Sequence, residues 1–111
     1  MRINAATFEK WVINTFSKSE LSDITNYGAN AGFTGLTYYK DTCKLYNKFK
    51  EEIWRLLRED ADAMGINIFE MLNSFRGIKD VDSAEHFENL MTWYAAERVA
   101  YNLVETMDDD A

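Results

Sequence analysis

A chain of 111 residues, 47% hydrophobic and 14% aromatic, is long enough to bury one core and too apolar to stay disordered. Its net charge of −7 argues against general nucleic-acid binding, and its single cysteine and single histidine exclude an internal disulfide and a zinc site. No run of about 18 apolar residues is present to cross a membrane and the N-terminus lacks the apolar stretch of a secretory signal, so the expected compartment is a reducing cytoplasm.

Taken in chain order, Phe8, Trp11, Val12 and Phe16 recur at helical spacing and predict a helix over roughly 5–16, capped by Asn4 or Thr7. Ser19 is placed to cap a second helix through ELSDITNYGANA, with Leu21, Ile24, Tyr27, Gly28 and Ala31 on its apolar side. Gly32 then suits the left-handed position that ends many helices. From Tyr38 to Met64, Thr42, Leu45, Tyr46, Phe49, Ile53, Leu56, Leu57, Ala61 and Met64 keep a three–four repeat, with Gly65 as the stop. This predicts an amphipathic helix of about seven turns, its outer face supported by Lys48–Glu52, Arg55–Glu59 and Arg58–Asp62 at i,i+4. Asn67 and Glu70 form a capping pattern, flanked by Ile66 and Met71, ahead of a short helix over about 68–75 stopped by Gly77. Asp82 and Glu85 repeat that logic before a last helix over about 83–106, and residues 107–111 form an acidic tail expected to fray.

The last helix carries two apolar stripes. Phe87, Leu90, Met91, Tyr94 and Tyr101 lie on one side, and Trp93, Ala96, Ala100, Leu103, Val104 and Met107 lie nearly opposite. Such a helix is either central to a bundle or turns one side to a partner. Arg98 falls inside the first stripe and needs a carboxylate or carbonyl if buried. Proline is absent, although about 5% is typical, and no period-two alternation of useful length occurs. The expected fold is all-α: one domain over residues 1–111, a compact bundle of about five helices.

Gly28, Gly32 and Gly35 in NYGANAGFTGLTYY lack the preceding strand and the Lys-Ser/Thr pair of a phosphate-binding loop. They predict a corner packed by Phe33, Leu36, Tyr38 and Tyr39, with Tyr38 and Tyr39 as candidate partner anchors. The charge is uneven: residues 1–50 carry seven Lys/Arg against four Asp/Glu, and residues 51–111 carry five against fifteen. Glu59, Asp60 and Asp62 end the long helix, while Asp80, Asp82, Glu85 and Glu88 surround the start of the last one. Their simplest roles are pairing with Arg55 and Arg58 and favouring a helix N-terminus. DVDSAEHFE lacks the central glycine of an EF-hand loop, and no Glu-x-x-His pair of a di-iron bundle is present. Cys43 and His86 carry no local signature of a catalytic dyad. The lysine row Lys40, Lys44 and Lys48 is short for a phosphate track. No cofactor, no metal and no enzymatic activity are expected.

The run from SDITNYGANAGFTGLTYYKDT to EEIW resembles a family of small bacteriophage and prophage proteins with a GA-AGF-GLTYY-DT core. The matching residues are Gly28, Ala29, Ala31, Gly32, Phe33, Gly35 to Tyr39, Asp41, Thr42 and Glu52 to Trp54, and WYAAERVA is similar to the family's end. The resemblance implies a phage or mobile-element origin and a compact fold, and no particular activity. Small acidic phage proteins without catalytic motifs are often inhibitors of host defences, which makes an anti-CRISPR or anti-restriction role the expectation. The partner would be a host defence protein or nuclease complex, met stoichiometrically at Glu59, Asp60, Asp62, Asp80, Asp82, Glu85 and Glu88 with Tyr38 and Tyr39 as anchors. Carboxylates on helices can imitate DNA phosphates, although four arginines interrupt this surface and favour a specific plug over a general DNA mimic. Direct nucleic-acid or membrane binding is not expected. The alternative is an interaction module without anti-defence role, forming a homodimer through the last helix.

Overall fold

A computed structural model of the protein describes residues 5–27, 39–74 and 84–109. They form five helices: α1 (Phe8–Thr15), α2 (Lys18–Tyr27), α3 (Tyr39–Met64), α4 (Ile68–Ser74) and α5 (Ala84–Asp109). No strand occurs among the described residues, as the missing period-two pattern predicts. The radius of gyration, 13.4 Å, is close to the roughly 13 Å expected of a folded domain this long.

At eight residues, α1 is too short to hold itself in water. Three features fix it. The Thr7 side chain accepts from the Lys10 amide at 3.1 Å. The Glu52 carboxylate reaches across from α3 and accepts from the Phe8 and Glu9 amides at 2.8 and 3.2 Å. Phe8 then stacks on Trp11 and meets Phe49 edge-on, with ring centroids 5.9 and 5.7 Å apart. Two of the orphan amide groups of the first turn are thus satisfied by a residue 43 or more positions away.

The start of α2 differs from the expectation. Ser17, not Ser19, is the cap: its hydroxyl accepts from the Glu20 amide at 3.2 Å, and the Glu20 carboxylate accepts from the Ser17 amide at 2.9 Å. This reciprocal pair closes two orphan donors at once, which Ser19, already inside the helix, cannot do. Asn67 and Glu70 pair as expected at the head of α4, at 2.8 Å from the Glu70 amide to Asn67 and 2.9 Å between the side chains.

Helix α3 spans 26 residues and ends as the sequence predicts. Gly65 adopts φ +73°, the Ile66 amide donates to the Ala61 carbonyl at 3.1 Å and the Gly65 amide donates to Asp62 at 3.2 Å. These are the two bonds of a Schellman motif, and they turn the chain into α4. The unbroken rod needs correcting, however. Phe49 leaves the helical region (φ −118°, ψ 25°) where its ring meets Phe8, and a 2.8 Å bond from the Trp54 indole to the Tyr46 hydroxyl spans the break. The i,i+4 pairs Lys48–Glu52, Arg55–Glu59 and Arg58–Asp62 are not among the ion pairs of the described residues. Glu52 is engaged by α1, and the others are exposed side chains for which pairing in water gains little.

Helix α5 is the centre of the bundle. It packs most extensively on α3, next on α2, and also against α1 and α4. From Asn89 to Ala100 no residue is fully exposed, and Leu90, Met91, Ala95, Ala96 and Ala100 are wholly covered. Phe87, Leu90, Met91 and Tyr94 of one stripe and Trp93, Ala96, Ala100, Leu103 and Val104 of the other belong to the core or pack against it, while Tyr101 is half exposed. The small residues at 95, 96 and 100 suit a helix approached closely from several sides. Within this band the Thr92 hydroxyl donates to the Glu88 carbonyl, whereas Asn89 Oδ1 and Trp93 Nε1, one turn apart, have no hydrogen-bond partner among the described residues. The helix continues to Asp109, three residues past the predicted end.

Candidate functional site

The seam between α3 and α5 holds the most connected polar cluster among the described residues. Asp60, near the end of α3, stands three residues after buried Leu57 and seven after buried Ile53, so its helical register turns it inward. Its Oδ1 accepts from Arg98 Nε at 3.0 Å and its Oδ2 accepts from the Tyr94 hydroxyl at 2.8 Å. Tyr94 and Arg98 are one turn apart on α5, so a single carboxylate bridges both. Arg98 and Asp60 keep 31% and 19% of their side-chain surface in solvent, which makes this a seam at the surface and limits the electrostatic gain to about 1 kcal/mol. Burial, the bond to Asp60 and the Asp60 charge together push the Tyr94 hydroxyl well above its ordinary value, so it stays protonated and donates.

Next to the seam lies a cavity of about 300 Å³, lined by Asp60, Tyr94, Glu97, Arg98, Tyr101 and Asn102. Glu97 is 7% exposed. Tyr101 presents a half-exposed ring while its hydroxyl donates to the Thr25 carbonyl at 2.9 Å, tying α5 to α2. A larger, open cleft of about 750 Å³ runs between α1 and α3, where Lys48, Lys50 and Arg55 alternate with Glu9, Glu51 and Glu52. Its charges are mixed and solvated, and nothing in it converges on one point.

The sequence-predicted site residues separate into groups. Glu59 and Asp62 are exposed at the end of α3, and Asp60 is drawn into the seam. Glu88 is half-buried on α5. Glu85 and Tyr39 lie in α5 and α3, but their side chains are outside the described ones, as is that of Cys43. Tyr38, Asp80 and Asp82 lie outside the described residues, together with Gly28, Gly32, Gly35, Phe33, Leu36 and Gly77. Arg98 finds the carboxylate that its place in an apolar stripe demanded. Sequence reasoning missed Tyr94 and the depth of Glu97. The signal for Tyr94 was available, since it sits four residues before Arg98 on the same side.

Among the described residues, no group of three His, Cys, Asp or Glu side chains is placed to hold a metal ion, and no helix is long and apolar enough to cross a membrane. A second surface feature is aromatic. Phe69, half exposed, stacks on Phe87 at 5.9 Å, and Phe87 lies 6.1 Å from Trp54 at a tilt. Met64, 54% exposed, ends α3 just before the turn into α4.

Comparison with curated proteins finds no match, and comparison with solved structures finds none either. A family model does match, and it covers residues 5–109, nearly the whole chain, including every described helix. The chain belongs to the family described as a domain of unknown function, DUF7222.

Proposed function

We propose that this protein is a phage or mobile-element inhibitor that binds a host defence complex, of the CRISPR or restriction kind, stoichiometrically and without catalysis. The observation that carries the reading is the acidic end of α3. Glu59 and Asp62 are exposed and have no ion-pair partner among the described residues, although Arg55 and Arg58 stand one turn away. Their field is therefore presented outward, in a half of the chain that carries fifteen Asp/Glu against five Lys/Arg. Such a surface steers a basic partner, and proteins that hold DNA are basic where they hold it. The resemblance to phage proteins supplies the biological direction. Exposed Phe69 and Met64 at the neighbouring α3–α4 corner add apolar area of the sort that protein contacts cover.

The test is a tagged pull-down from bacterial lysate at low and moderate salt, read by mass spectrometry, with a Glu59→Lys/Asp62→Lys variant alongside. The reading expects a DNA-handling defence complex on the wild type that salt weakens and the variant loses. Equal capture of the same proteins by both forms would sink the acidic-surface mechanism. The second reading, an interaction module without anti-defence role, expects the chain to recover only itself or one non-defence protein.

A further inference from the structure

Helix α3 breaks at Phe49, and nothing in its own sequence breaks it. Bends of this kind arise at proline, at glycine or serine, or where a group from elsewhere disturbs the ladder. Residues 39–64 contain no proline, glycine or serine, yet Phe49 sits at φ −118° and ψ 25°. We propose that α1 is a strap: its seating on α3 holds that helix bent at Phe49, and its release lets the bend relax while the rest of the bundle stays packed. This goes beyond the functional reading above and does not depend on it.

Three observations tie the strap to the bend. The first is where α1 touches α3. The fully buried Phe8 ring meets the Phe49 ring edge-on at 5.7 Å. Three residues later the Glu52 carboxylate accepts from the Phe8 and Glu9 amides at 2.8 and 3.2 Å. One turn of α1 therefore grips α3 at the break and just after it.

The second is the 2.8 Å bond from the Trp54 indole to the Tyr46 hydroxyl, between residues eight apart on either side of the break. A regular helix brings together residues three and four apart, and eight residues rise about 12 Å along its axis. The bond belongs to the bent form and reports it from the α3 side.

The third is how α1 is held. Its eight residues do not keep a helix in water, so its helical form and its seat on α3 come and go together. Phe16 and Ser17 link it to α2, and Phe16 is extended (φ −111°, ψ 138°). A few such residues absorb a change of direction. Beside the seat, the open cleft lined by Thr7, Glu9, Asn47, Phe49 and Glu52 brings water to the Glu52 bonds without parting the core.

The test is native-state hydrogen exchange on the full chain at rising urea below the unfolding transition, followed by NMR. The Trp11 and Val12 amides report the strap, the Trp54 indole proton reports the bend, and the Leu90 amide reports the bundle. The first three should exchange through one shared opening, with the same urea dependence and at least about tenfold faster than Leu90. Glu52→Ala should speed the strap and the bend by the same factor, about tenfold. Tyr94→Phe lies outside the strap and should speed Leu90 alone. A Trp54 indole that exchanges independently of α1, or strap and bend that open only at the Leu90 rate, would overturn the proposal. Phe8→Ala adds a direct view of the bend: the Phe49 Cα carbon signal should move downfield to the range of its helical neighbours, and an unmoved signal in the folded variant counts against the strap. Because a change at a buried ring can prevent folding, exchange on the wild type stands as a test by itself.

Discussion

Helices α3 and α5 are each 26 residues long, yet the bundle uses them in opposite ways. The apolar residues of α3 keep to one side, and Lys44, Lys48, Glu51, Arg55, Arg58, Glu59 and Asp62 remain in water. Along α5 the apolar residues go round the helix, and twelve consecutive positions from Asn89 to Ala100 escape full exposure. An edge helix and a hub helix of equal length therefore differ in how many of their sides need covering. The difference also locates the candidate site. Where α3 meets the hub, three charged groups become buried or partly buried together: Asp60, Arg98 and Glu97.

The sharpest test of the hub is Leu90→Ala. Leu90 is wholly buried, so the change should destabilise the protein by about 3 kcal/mol, measured by urea unfolding. A loss under about 1 kcal/mol would mean that α5 is not packed on all sides. Next in size is Asp60→Ala, which removes both bonds of the seam. The expected loss is about 2 kcal/mol, held down by the partial exposure of the pair. Arg98→Ala made on top of it should cost much less than it does alone, because the two share one interaction.

Tyr94→Phe isolates one bond of that seam and should cost about 1 kcal/mol at neutral pH. It also carries a pH signature. The Tyr94 hydroxyl is raised in the folded state, so its stabilising contribution is complete below the unfolded value of about 10 and is lost as pH climbs from there toward the folded value. The wild type should thus lose stability above about pH 10 more steeply than Tyr94→Phe. Parallel curves would show that the hydroxyl is not held by Asp60.

At the α3 stop, Gly65→Ala should cost about 1 kcal/mol from its left-handed backbone alone, because a Cβ there meets nothing within 4 Å. Smallest is Arg58→Ala on the outer face of α3, expected within about 0.5 kcal/mol of wild type. A larger loss would restore the Arg58–Asp62 bridge that the structure lacks, and with it the idea that the acidic end is internally neutralised.

Much of this was legible because it depends on neighbours in sequence. Gly65 and the Asn67–Glu70 pair fix the α3–α4 turn within the stretch from Ala61 to Glu70, and each works through bonds of five positions or fewer. Arg98 announced its need for a carboxylate by standing in an apolar stripe. Glu52 gave the opposite lesson. Sequence spacing assigns it to Lys48 one turn away, but two amide donors at the start of α1 offer a carboxylate more than an exposed lysine does. The break at Phe49 had no signal either, since no proline or glycine lies between residues 39 and 64.

The sequence by itself determined an all-helical chain, the positions of the five described helices to within a few residues, and an acidic second half. These follow from periodicity, capping and composition, which act over a turn or two and need no knowledge of the fold. Only the tertiary structure decided which side of each helix is covered and by what. The two stripes of α5 were compatible with a hub or with a face for a partner, and the packed chain sets α5 against four other helices that cover most of both stripes while Tyr101 stays half exposed. Likewise, Asp60 joined Tyr94 and Arg98, more than thirty residues away, while its neighbours Glu59 and Asp62 stayed in water. Which of three similar carboxylates turns inward depends on where a second helix lies, and that is a property of the packed chain alone.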